Sequence, residues 1–154
     1  MLNNEPKLLK EALQLIDGDL VKMRQVLLRY SLTKVIAGFE GLDAQQQQLT
    51  MAVAILSELP ISSCKTLLIR CGYVPSYQTD ILKLLSHNKR WKQDEYGVAY
   101  QILAEVNILA DYIENNCPGG KECELQSLFK TETGSSILNG LLTNDDCDRD
   151  MPPN

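Results

Sequence analysis

The chain has one histidine, no Cys-x-x-Cys pair, no apolar run longer than a few residues, and no stretch alternating apolar and polar residues over a strand's length. Each scarcity removes a class of answer. A carboxylate di-metal bundle needs Glu-x-x-His pairs on two helices, whereas His87 stands in a basic surrounding with no glutamate at that spacing. Cys117 and Cys123 flank a Pro-Gly-Gly turn, but no second ligand pair completes a tetrahedral zinc site. Asp146, Asp148 and Asp150 repeat the first half of a calcium loop, yet Met151 stands where glycine is required and no bidentate glutamate follows. The segment "NCPGGKECE" has glycines and a lysine without the preceding strand and Gly-Lys-Ser/Thr of a phosphate-cradling loop. Neither a metal nor a cofactor is expected.

Catalysis has equally little footing. His87 as a general base would need a nucleophile and an orienting carboxylate, whereas a histidine just past a helix end is already favoured there by the helix dipole. No catalytic residue is therefore assigned and the chain is read as a non-enzyme. No apolar run approaches the roughly 20 residues that span a bilayer. The start "MLNNEPKLLKEALQLID" lacks the basic segment and apolar block of a secretory signal, so a cytosolic protein without a membrane partner is expected. Five cysteines, an odd number in no tight framework, fit that compartment. Cys64 and Cys71 share a helix face two turns apart, about 10 Å along the axis, too far for a disulfide and suited to buried thiols.

What the chain does have is apolar residues at helical spacing almost throughout, which predicts an all-α fold. A compact bundle of six or seven helices is expected over residues 1–142 as a single domain, followed by an acidic, disordered tail over 143–154. The first helix fits about 5–16, with Asn4 able to cap it and Pro6 in its first turn. Asp19 caps a second helix to about Phe39, whose inward stripe is expected at Val21, Leu28, Leu32, Val35 and Phe39. Asp43 and Gln46 form a capping box opening a third, with Leu49, Ala52, Val53 and Leu56 inward and Pro60 closing it.

Two shorter helices follow at about 62–71 and 76–87, joined by Gly72 to Pro75. The strongest pattern runs near 94–115. Tyr96, Ala99, Tyr100, Leu103, Val106, Ala110 and Ile113 form a stripe there, widened by Ile102 and Leu109, which predicts a central helix. "NNCPGG" stops it, and a last helix at about 122–130 precedes a short apolar turn at Ile137–Leu142.

The chain's net charge of −5 conceals a segregation. Residues 60–92 hold six basic residues against one acidic, whereas 93–142 hold two basic against eight acidic. Lys65, Arg70, Lys83, Lys89, Arg90 and Lys92 crowd into one stretch, which either meets an anionic partner or is neutralised by acidic groups of the same chain. Tyr73, Tyr77 and Trp91 lie within it, and aromatic residues with arginine are enriched at interface hot spots. Trp91 also suits packing beneath the start of the long helix. The functional expectation is a cytosolic interaction or regulatory module binding a protein through Arg70, Tyr73, Tyr77, Lys83, Lys89, Arg90, Trp91 and Lys92.

The same stretch supports a helix-turn-helix alternative over 62–92. Gly72 would be its turn residue, Leu67, Leu68, Ile81 and Leu84 its packing, and Ser76, Tyr77, Gln78 and Thr79 its groove-facing residues. Arg70, Lys83, Lys89 and Arg90 would touch phosphates of a nucleic acid partner. Gln78 departs from this pattern, standing about three residues before Ile81 where an apolar residue is expected. A small enzyme, recognisable by a pocket holding His87 or a carboxylate of shifted pKa, is the third possibility.

Overall fold

Local signals place most of the helix boundaries. The computed structural model describes residues 4–86, 93–115 and 126–150. Seven helices are set out over these residues: α1 (Glu5–Leu15), α2 (Leu20–Phe39), α3 (Ala44–Leu56), α4 (Ile61–Arg70), α5 (Pro75–Ser86), α6 (Gln93–Asn115) and α7 (Glu132–Asp150). A further helical turn lies at 126–128, and no strand occurs among the described residues. The all-α bundle expected from periodicity is the fold observed.

Pro6 stands in the first turn of α1 as expected, but Asn4 makes no side-chain cap; only its backbone carbonyl accepts, from Leu8 N at 2.9 Å. The chain reverses through Gly18 at φ 89°, and Asp19 caps α2 by accepting from Lys22 N at 3.1 Å. The capping box of α3 is present in both directions: Asp43 accepts from Gln46 N at 2.7 Å, and Gln46 accepts from Asp43 N at 3.5 Å. At the end of α4, Gly72 takes φ 82°, while Tyr73 N donates to Leu68 O and Gly72 N to Ile69 O. These two bonds make a Schellman turn, which only a residue tolerant of left-handed backbone completes without strain.

Among the described residues two apolar clusters make the core. The first gathers Leu8 and Ala12 of α1, residues 52–56 of α3, Cys64, Leu67 and Leu68 of α4, and Ile81, Leu84 and Leu85 of α5. The second gathers Ile36 and Ala37 of α2, Ile102, Val106, Leu109 and Tyr112 of α6, Phe129, and Leu138 and Leu142 of α7. α6 serves both, because Tyr100 and Leu103 enter the first while Ile102 and Val106 enter the second. A helix apolar over so wide an arc can do this, and α6 is central as its pattern predicts. Its inward residues follow expectation except Ile113, which is 40% exposed; the Tyr96 side chain lies outside the described residues. Gly97, at φ 56° and ψ −126°, breaks the helical geometry in its first turns.

Three expectations are corrected. The α2 stripe is only partly inward: Leu28 and Leu32 are half-buried, Leu32 against the second cluster, but Val21, Val35 and Phe39 are exposed, and the buried residues are Val26, Thr33, Ile36 and Ala37. α2 carries apolar side chains around most of its circumference, so periodicity alone selects no face. The short apolar turn at Ile137–Leu142 is the middle of α7, a 19-residue helix. α7 runs to Asp150, and 151–154 lie outside the described residues. Finally, α3 buries every residue from Thr50 to Leu56, not one stripe, because α1, α2, α5 and α6 all pack on it.

Candidate functional site

Apolar residues on α1 outnumber what one buried face needs. Leu8 and Ala12 face inward, while Leu9 and Leu13 are only half-buried. With Pro6 and with Tyr30 of α2 they line an open groove of about 580 Å³ between α1 and α2, rimmed by Lys10, Gln14 and Asp17. One end is tied by Glu5, whose carboxylate accepts from Tyr30 Oη at 2.6 Å and from Lys34 Nζ at 2.8 Å. Burial, then the hydrogen bond and charge of Glu5, push the Tyr30 phenol up to about 12, so it stays a donor at neutral pH. On its other side α1 is pinned to α4, where Arg70 Nη1 donates to Glu11 at 2.9 Å and Lys7 Nζ to the Arg70 carbonyl at 3.3 Å. The groove wall is therefore held from both sides.

The expected basic-aromatic surface is only partly described, because Lys89, Arg90, Trp91 and Lys92 lie outside the described residues, as does His87. Of the rest, Tyr73 is buried at 6% exposure in the first cluster and is no surface residue; its hydroxyl is held well above the usual phenol range, chiefly by burial. Tyr77 is half-buried against the same cluster. Arg70 is exposed but already paired with Glu11, a neutralisation within the chain. Lys83 is exposed on α5. In the helix-turn-helix reading Tyr77 and Gln78 would face a nucleic acid groove. Here Tyr77 packs inward, and Gln78 Nε2 donates to the Tyr73 carbonyl at 2.6 Å, securing the turn instead.

Elsewhere the polar side chains serve the fold. Cys64 and Cys71 are buried thiols, and burial pushes Cys64 up to about 11. Arg29 of α2 reaches α6 and the turn after α3: its Nε donates to Asn107 at 3.1 Å, and its Nη1 approaches Glu58 Oε1 at 3.1 Å as an ion pair without hydrogen-bond alignment. The cleft beside Arg29, about 10 Å³, is of a size for a single water. Among the described residues no three or more His, Cys, Asp or Glu side chains gather as metal ligands would.

The feature sequence reasoning missed is Glu105. It is fully buried on α6, and its carboxylate accepts from Gln101 Nε2 at 2.6 Å, Lys130 N at 2.8 Å, Thr131 N at 3.0 Å and Thr131 Oγ1 at 2.6 Å. Thr131 in turn caps α7 by accepting from Gly134 N at 2.9 Å. A Cβ at Gly134 would collide with the Glu105 carboxylate, which explains glycine in the first turn of α7. Glu40 adds a second acceptor for Thr133 N at 3.3 Å and Thr133 Oγ1 at 2.8 Å. Two carboxylates thus meet the partial positive charge at one helix N-terminus. The available signal was an acid set between Ile102 and Leu109 on the inward side of the broadest apolar stripe.

No protein-family model, curated protein or solved structure matches the chain. No helix among the described residues is long and apolar enough to cross a membrane.

Proposed function

We propose that the protein is a cytosolic interaction module, of adaptor or regulatory type, that receives an amphipathic helix of a partner protein in the groove between α1 and α2. The observation that carries this is the groove itself: an apolar face of α1 at Pro6, Leu9 and Leu13, bounded by Tyr30 of α2, open to solvent and braced on both sides. From Pro6 to Asp17 it runs about 16 Å, three helical turns, which matches anchors at i, i+3 or i+4, and i+7 on a bound helix. Lys10 and Asp17 on the rim offer one charge of each sign to fix its direction.

We place the interaction surface on α1 and Tyr30 because, of the residues expected to form it within 70–92, Tyr73 is buried, Tyr77 half-buried and Arg70 paired, while Lys89, Arg90, Trp91 and Lys92 lie outside the described residues. Site-specific photo-crosslinking in the native cell tests the reading. A benzophenone side chain at Leu13 should trap a discrete protein adduct, and one at exposed Lys65 on α4 should not. Equal adducts at both positions, or none at Leu13, would remove the groove as the binding site.

A further inference from the structure

We infer that the outward face of α2 is a self-association surface, on which two copies of the chain pair with their α2 helices antiparallel. This inference is independent of the groove. α2 buries Val26, Thr33, Ile36 and Ala37, yet Leu20, Val21, Leu27, Val35 and Phe39 project outward, Leu20 at 67% and Phe39 at 79% exposure. A helix apolar on all sides normally sits inside a protein. These five side chains expose roughly 500 Å² of apolar surface, the size of a monomer's largest, often functional, patch.

The area identifies the occupant as another copy of the same face. Two such patches bring together about 1,000 Å², the lower bound of a specific interface, and an isologous two-fold contact uses one surface twice. Small residues Ser31 and Gly38 on the same side are exposed, and a Cβ at Gly38 would meet nothing within 4 Å among the described residues.

Charge selects the direction. Arg24 is exposed within the patch and Lys34, at its edge, is paired with Glu5, while α2 contains no acidic residue. Parallel pairing would set Arg24 against its own copy. Antiparallel pairing, with the two ends of the patch in register, sets Phe39 against the partner copy's residues 20 and 21 and Val35 over the aliphatic stem of residue 24. The two Arg24 residues then stand about 16 Å apart along the axis, beyond the Debye length of about 8 Å at physiological salt.

The test is the mass of the full chain in solution by sedimentation equilibrium up to roughly 0.5 mM, a range that reaches weak association. The 17.3 kDa chain should reach twice its mass. Leu20→Glu and Phe39→Glu, which face each other's positions across the pair, should each weaken association at least tenfold with an unchanged helical circular dichroism spectrum. A wild type that stays monomeric throughout the range, or glutamate variants that associate like wild type, overturns the proposal. Direction is read with a nitroxide-bearing non-natural residue at Ser31 or Gly38. The antiparallel pair gives a short Ser31 distance and a Gly38 distance longer by roughly 20 Å, from the 1.5 Å rise per residue. Two equally short distances would overturn the antiparallel arrangement.

Discussion

The two core clusters are built on different principles. The first, around α1, α3, α4 and α5, closes by apolar contact, and its polar members are hydroxyls and thiols. The second, around the end of α2, α6 and α7, has a fully buried carboxylate at its edge and depends on a hydrogen-bonded clasp to seat α7. Apolar packing is tolerant of small shifts, whereas a buried carboxylate with four donors must be satisfied completely or it becomes a liability. The lesson is that α7 is attached by geometry more than by area, and the two regions should fail in different ways.

Glu105→Ala should separate them most sharply. It leaves two backbone amides, a carboxamide and a hydroxyl without their acceptor, an expected loss of about 4 kcal/mol. Native-state hydrogen exchange should show protection lost first in α7 and retained at Leu67 and Leu68. Uniform loss across all helices would break the distinction. Leu68→Ala should cost about 3 kcal/mol through the cavity it leaves, and the damage should spread over the whole body because α3 and α4 share that cluster. A lowered urea midpoint with an unchanged m-value checks this.

The smallest effect comes from alkali and should fall on the first region, where the raised thiol and phenols lie. Cys64 is pushed from 9.0 to about 11 and Tyr30 from 10.0 to about 12. Both groups hold their protons more tightly when folded, so the unfolded chain releases protons first. Stability should be complete below about pH 9 and decline as pH rises toward 12. Melting temperatures measured from pH 8 upward check the sign; a rise across this window would contradict it.

Helix limits were legible in the sequence because caps are local. Asp19, Asp43 with Gln46, and Gly72 each announce a boundary through side chains or backbone freedom within a few residues of it. The inward face of α2 was not legible, since several of its faces are apolar and only its neighbours decide which one is covered. Glu105 was hidden for a related reason. Its four donors come partly from residues 130 and 131, about 25 positions away, and a one-dimensional reading sees only an acid interrupting a stripe. The α1–α2 groove escaped notice because it is defined by what two helices fail to cover. The aromatic stretch misled in the opposite sense: Tyr73 follows the turn glycine and is drawn inward by the same bond pattern that ends α4.

One consequence of α3 concerns anyone who alters this molecule. From Thr50 to Leu56 it offers no side open to water, so neither a fluorophore, an affinity handle nor an enlarged side chain has anywhere to go there. Chemical modification belongs on exposed positions of α4 or α5, such as Lys65 or Lys83, and the middle of the chain is best left as it stands.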